Sequence, residues 1–275
     1  MVTTQQESIY LMGRSEHETA RLRRQAHLYG PLTRRLFIEA GVGSGMRVLD
    51  VGSGAGDVAL LLAELVGPGG QVVGVDTDPR ILDVARSRVV AAGWTNITFI
   101  AGDIRRAPLD GSFDAVVGRF VLPFVGNRVE LLQTCIARVC QHGLVVFQEH
   151  DTTSNYRAVP TSAVLEQCRQ WLFQFAEAVR FDTGFAMRLY DDFCAAGLRA
   201  PQMRYEVPVG GGPEWIGYEF LPDHLRSVRD LLIQHGIATE DEMQIETLAA
   251  RLRDEVVGNN GVFFTLPAVG IWART

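Results

Sequence analysis

Between Met46 and His150 the apolar residues of this chain alternate between two rhythms. MRVLDV (46–51), QVVGVD (71–76), TNITFIAGD (95–103), FDAVVGRFVL (113–122) and GLVVFQEH (143–150) contain short, nearly continuous apolar runs, the pattern of strands buried on both faces. DVALLLAELV (57–66), PRILDVARSRVVAAG (79–93) and RVELLQTCIARVC (128–140) instead space apolar residues three and four apart, which predicts helices. Five strands joined by crossovers of this length predict an α/β fold, a parallel sheet covered on both faces.

The flanks are less regular. Ser15 with Glu18 has capping-box spacing and Leu22 with Ala26 marks an apolar stripe, so one helix is expected there. A second is expected from Pro31 to about Ala40, with proline at its start and Gly41 at its end. The polar first seven residues are expected to fray. After His150 the pattern predicts helices over 163–179 and 186–196, a strand over 202–209 and two helices within 211–258. A closing strand over 261–275 is expected at the sheet's edge, irregular at Pro267.

Composition narrows the chemistry. At 275 residues and 47% hydrophobic content the chain can bury a full core. With 26 basic against 32 acidic residues it has no excess field for a phosphate backbone, so no nucleic-acid partner is expected. Every basic residue is arginine, which excludes a lysine Schiff base and the lysine of a P-loop. Cys135, Cys140, Cys168 and Cys194 form no CxxC or zinc spacing and read as buried free thiols of a cytoplasmic protein. No signal-like start and no apolar run near 18 residues occurs, so no membrane association is expected.

The break in VLDVGSGAGDVAL carries the chemistry. Gly52, Gly54 and Gly56 fall between the first strand and its helix, where α/β sheets bind ligands and where backbone can approach closely. A dinucleotide fingerprint needs a third glycine where Asp57 stands, and a carboxylate sits badly beside a diphosphate, so a nucleoside without phosphates fits better. Asp76 ends strand two, placed to accept from ribose hydroxyls, a feature that nicotinamide sites share. Asp103 leaves strand three, placed to accept from a purine amine beside the N–H of Ile104, and Asp50 is placed to meet an amino group. Such a rim suits a ligand with amine and hydroxyl donors and net positive charge.

These motifs resemble the class I methyltransferases that use S-adenosylmethionine: VLDVGSGAG their first motif, GVDTDP (74–79) their acidic loop, AGDIRRAPLDGSFDAVV (101–117) their adenine-side and fourth-strand motifs. The resemblance, over about residues 40–155, implies a Rossmann-like seven-stranded, mostly parallel sheet whose last strand is antiparallel, with S-adenosylmethionine as cofactor and S-adenosylhomocysteine as product. It further implies that Asp76, with Thr77 beside it, binds the ribose, Asp103 the adenine amine, and the Gly52–Gly56 loop the methionine part. The flanks YLMGRSEHETARLRRQA (10–26) and LPAVGIWAR resemble bacterial natural-product and small-molecule methyltransferases. There the leading helix folds over the cofactor, which implies Tyr10, Arg14 and Gln25 near it and Arg14 on the methionine carboxylate. Arg119, at the end of strand four, is suited to a carboxylate of either cofactor or substrate. The implied organisation is N-terminal lid helices over 1–40, a cofactor-binding core over 41–155, and the rest of the core over 156–275 with lid insertions at about 156–185 and 211–258.

Methyl transfer requires alignment rather than a covalent catalyst, and a base where the acceptor must lose a proton. His150, ending strand five in FQEHD, is the candidate base; Glu149 and Asp151 alternate with it, so only one parity faces the site. The EHD triplet also suggests a metal site, but no matching carboxylate pair accompanies it and no metal is expected. Tyr156, Trp171, Phe173, Phe175, Trp215, Tyr218 and Phe220 fit either an apolar lid around a small, apolar or aromatic acceptor or plain core packing. The alternatives are a non-catalytic binding or scaffold subunit on this fold and a nicotinamide oxidoreductase, for which no hydride-transfer constellation is found. The late helices fit a homodimer interface or a cap on one copy equally well.

Overall fold

The computed structural model describes residues 16–275. In chain order the elements are α1 (Glu16–Ala40), β1 (Arg47–Val51), α2 (Asp57–Val66), β2 (Gln71–Asp76), α3 (Pro79–Ala91), β3 (Ile97–Ala101), β4 (Phe113–Arg119), α4 (Arg128–Ile136) and β5 (Val139–His150). There follow β6 (Arg157–Val159), α5 (Ala163–Ala178), α6 (Leu189–Ala195), β7 (Gln202–Glu206), β8 (Val209–Gly210), α7 (Phe220–Gln234), α8 (Glu240–Met243), α9 (Ile245–Gly258), β9 (Val262–Phe264) and β10 (Ala268–Arg274). They form two compact units: a larger one of Tyr29–His150, Ala186–Tyr205 and Ala268–Thr275, and a smaller one of the residues up to Leu28, Asp151–Phe185 and Glu206–Pro267.

The larger unit is built on a seven-stranded sheet in the order β3-β2-β1-β4-β5-β10-β7. The first five strands pair in parallel and β10 runs antiparallel to β5. Because β1 pairs with β2 on one side and β4 on the other, the strand order reverses there, and the reversal opens a crevice beyond the carboxyl ends of β1 and β4. One core cluster unites Val48, Val72, Val117 and Val146 of the sheet with Leu36 and Phe37 of α1 and Leu62 and Val66 of α2.

Strand register decides which side chains share a face. Asp50 lies opposite Gly74 and Val117, Arg119 opposite Gln148, and His150 opposite Ala268. Since side chains alternate along each strand, Asp50, Asp76, Arg119, Gln148 and His150 belong to one face, and Glu149 to the other.

The smaller unit has a three-stranded antiparallel sheet, β6-β9-β8, and the helices α5, α7, α8 and α9. Tyr156 and Tyr218 both stack on Phe263, with Trp215 edge-on to Tyr218 and Phe263. Tyr156 Oη lies 3.1 Å from His224 Nδ1, and burial pushes that imidazole down to about 4, so it is neutral at pH 7.

Four expectations change. A single helix runs through Pro31: the lost N–H costs roughly 3 kcal/mol in an isolated helix, but Tyr29, Leu32, Leu36 and Phe37 are buried around it, each such side chain contributing about 1.5–3 kcal/mol. The closing segment is two strands in two sheets, β9 and β10, and β10 is flanked by β5 and β7 instead of lying at the edge. The segment expected as one strand over 202–209 is likewise split, into β7 and β8. Of the four thiols, Cys135 and Cys168 are buried, but Cys140 is only partly so and Cys194 is exposed. The Ser15 cap and the first seven residues lie outside the described residues.

Candidate active site

The loop after β1 explains its glycines. Gly52, Gly54 and Gly56 all have positive φ, at 68°, 50° and 82°, where side chains are disfavoured. A Cβ on Gly52 would in addition lie 2.5 Å from Val121 Cγ2. Asp76 holds the loop in place, one carboxylate oxygen accepting from Gly54 N at 2.9 Å and the other from Asp78 N at 3.0 Å.

Asp50, at the foot of this loop, is 1% exposed, and neither of its oxygens has a hydrogen-bond partner among the described residues. Burial pushes its carboxyl up to about 8, against the opposing pull of Arg119. Ser53 Oγ nearby is also buried with no hydrogen-bond partner among the described residues. Such groups each cost about 1–3 kcal/mol when left unsatisfied, which marks the place as built for something other than stability.

Arg119 is partly buried, and desolvation lowers its pKa while the charges of Asp57 and Asp50 work the other way. Its Nη1 donates to Thr33 Oγ1 at 3.3 Å, and Thr33 in turn donates to Gln148 Oε1 at 2.6 Å. Asp57, the residue that breaks the dinucleotide fingerprint, accepts from Arg88 Nη2 at 2.6 Å, and Arg88 Nη1 donates to the Ala55 carbonyl. Asp103 is only part-buried and is engaged by Arg105, whose Nε lies 2.9 and 3.0 Å from its two oxygens; that hydrogen bond holds its carboxyl below the usual range. Ile104 beside it is buried and Thr77 is exposed.

His150 packs in an aromatic corner. Phe120 stacks on its ring at 3.7 Å with 11° between planes, and Tyr29 meets it edge-on at 4.7 Å. Glu149, fully buried on the opposite face, accepts from the N–H groups of Val121 and Leu122 at 3.0 and 3.1 Å, and burial pushes it up to about 8.

The larger unit thus gathers Asp50, the glycine loop, Asp76, Thr77, Asp103, Ile104, Arg119 and His150. Gln25 belongs to the smaller unit, buried, with Oε1 accepting from Arg21 at 2.8 Å; Tyr10 and Arg14 lie outside the described residues. Thr33, Phe120 and Gln148 were not singled out from sequence, because their roles depend on register and on a left-handed backbone at Phe120 that no local pattern signals. In the smaller unit Tyr156, Trp171, Phe175, Tyr218 and Phe220 are buried, while Phe173 is exposed.

A model of the methyltransferase domain matches residues 43–180, half of the chain. The chain belongs to the methyltransferase-domain family. Its seven-stranded sheet with antiparallel β10 gives it the class I fold of methyltransferases that use S-adenosylmethionine. Among similar proteins, the ubiquinone/menaquinone biosynthesis C-methyltransferases UbiE of Pseudomonas putida (strain GB-1) and Pseudomonas fluorescens (strain SBW25) are 36% and 35% identical over 127 residues. Those residues make up 45% of this chain and 50% of each relative, so this methyltransferase-domain protein spans about half the length of the curated relatives it matches. The structure of YcgJ from Bacillus subtilis superposes with a TM-score of 0.55 at 22% identity, covering 90% of this chain and 98% of that one, which supports the fold. Among the described residues no helix is long and apolar enough to cross a membrane.

Proposed function

We propose that this protein transfers a methyl group from S-adenosylmethionine to a carbon, oxygen or nitrogen of a small, largely apolar or aromatic acceptor. The observation that carries the reading is Asp50: a buried carboxylate with both oxygens unpartnered among the described residues, below a loop of left-handed glycines. The donor set fits the group, since a cationic amine satisfies such a carboxylate and the glycines leave backbone N–H groups accessible.

When bound, the cofactor supplies a carbon already activated by a sulfonium leaving group. What remains for the chain is to orient and to exclude water. Asp50 receives the ammonium of the methionine tail and Arg119, on the same face, its carboxylate. Asp76 accepts from the ribose hydroxyls while keeping its bonds to the loop, and Asp103 with the Ile104 N–H takes the adenine edge, sharing its carboxylate with Arg105. His150 removes the acceptor's proton at Nε2, since its Nδ1 is buried. The similar UbiE proteins are C-methyltransferases of ubiquinone/menaquinone biosynthesis, which favours a ring carbon of a quinone-related acceptor. Residues 41–155 would then carry the cofactor, and the segments 1–40, 156–185 and 211–258 the acceptor's selection.

Calorimetric titration with S-adenosylhomocysteine tests this. Saturable one-to-one binding that weakens in Asp76→Ala is expected. An absence of binding would favour a non-catalytic scaffold, and unchanged affinity in Asp76→Ala would remove the ribose role.

A further inference from the structure

The segment after β4 is shaped by contacts that reach His150 from both faces of the sheet. Phe120 has φ of 59°, a left-handed conformation that bulky side chains avoid. Three hydrogen bonds impose it. Phe120 N donates to the Gln148 carbonyl at 2.8 Å, completing the β4–β5 pairing. The next two N–H groups, of Val121 and Leu122, then converge on a single atom, Glu149 Oε1. Two successive N–H groups that point at one oxygen after a left-handed residue form a backbone nest, a concavity that holds an acceptor. The chain therefore bends at Phe120 as β4 ends, and the bend lays the Phe120 ring flat on the His150 imidazole. Tyr29 stands edge-on to both rings, at 5.4 Å from Phe120 and 4.7 Å from His150.

We propose that Glu149 and Phe120 are positioning residues for His150: the Glu149 carboxyl fixes the turn that presents the Phe120 ring, and that ring with Tyr29 fixes the plane in which the imidazole takes the acceptor's proton. The proposal rests on His150 acting as the base. Adjacent residues of one strand divide the work, since alternation sends Glu149 to one face of the sheet and His150 to the other. Burial keeps Glu149 protonated at neutral pH, with its pKa near 8, so Oε1 acts as a neutral acceptor that an amide can replace.

The test uses the whole protein. The Hε1 resonance of His150, assigned through His150→Gln, is expected upfield because Phe120 lies over the ring. Phe120→Leu and Glu149→Ala are each expected to move it downfield and to shift the imidazole's titration, whereas Glu149→Gln restores both. With a naphthohydroquinone as acceptor, the first two variants are expected to lower kcat roughly tenfold to 100-fold, with the KM for S-adenosylmethionine unchanged and the limb of the pH profile due to His150 displaced. A His150 resonance and pH profile that stay as in the native protein in both Phe120→Leu and Glu149→Ala would overturn the proposal. Full turnover by His150→Gln would instead remove the base assignment on which it rests, while the resonance shifts would still report whether the two residues hold the ring.

Discussion

Two aspartates are buried to nearly the same degree, Asp50 in the larger unit at 1% exposure and Asp223 in the smaller at 2%, yet their surroundings are opposite. Asp223 is gripped by Arg24 through Nε and Nη2 at 2.7 and 2.6 Å, with Arg226 at 3.2 Å. Asp50 has no donor among the described residues. Burial by itself therefore does not mark a binding site. A charged group taken from water and answered by a bidentate guanidinium belongs to the fold's own architecture, and one left unanswered awaits a partner from outside.

The largest effect that sharpens this contrast is on stability. Asp223→Ala leaves the Arg24 guanidinium, itself partly exposed, without its bidentate partner, and is expected to lower unfolding free energy by about 3 kcal/mol. Denaturant unfolding followed by tryptophan fluorescence measures it, and a loss below about 1 kcal/mol would class the pair with ordinary surface bridges.

At Asp50 the order of effects is expected to reverse. Asp50→Asn removes no contact within the fold, and burial keeps Asp50 largely protonated at pH 7, so no loss of stability is expected there; the change runs toward a gain, because the unfolded chain no longer profits from ionising residue 50. Affinity for S-adenosylhomocysteine is expected to fall roughly 30-fold, about 2 kcal/mol, the scale of a hydrogen bond to a charged group. The contrast breaks if Asn destabilises the fold while calorimetry shows native affinity.

The same contrast shows what could be read from the chain in advance. The alternation of short apolar runs with helical spacing made β1–β5 and their crossovers visible, because a strand buried on both faces and an amphipathic helix leave different periods. The glycine loop was visible because left-handed backbone at Gly52, Gly54 and Gly56 demands that residue type. Pro31 misled, since local propensity was overridden by burial of the residues beside it. The closing segment misled too: nothing around Pro267 reveals that Val262–Phe264 and Ala268–Arg274 join different sheets. Asp103 looked like a free strand-end carboxylate, but Arg105, two residues on, engages it. The role of Glu149 was hidden for a further reason. Its partners are two backbone N–H groups 27 and 28 residues earlier, and backbone donors carry no sequence signature.

Per pH unit the smallest effect is also the most diagnostic, because it has opposite signs in the two processes it governs. Asp50 and Glu149 are held up to about 8 in the folded protein, in both cases first of all by burial, whereas unfolded carboxyls ionise near about 4. Between those limits the unfolded chain gives up protons that the fold keeps, so the contribution of these two groups to stability is fully present at low pH and declines as pH rises toward 8. The decline is at most about 1.4 kcal/mol per pH unit for each group and levels off above 8. Denaturation at several pH values should show it, with a shallower slope in Asp50→Asn. Ligand binding runs the other way. An ammonium calls for the ionised form of Asp50, so below pH 8 each binding event must release a proton, and affinity for S-adenosylhomocysteine rises with pH. The rise ends near about pH 8, where an α-amino group itself begins to lose its charge. Calorimetry in buffers of different ionisation enthalpy counts that proton directly: a release at pH 7 in the native protein and none in Asp50→Asn places the ammonium on Asp50. An affinity that does not change between pH 6 and 8 would assign the buried carboxyl no part in recognition, and Asp50 would be a cost of the fold with no ligand to offset it.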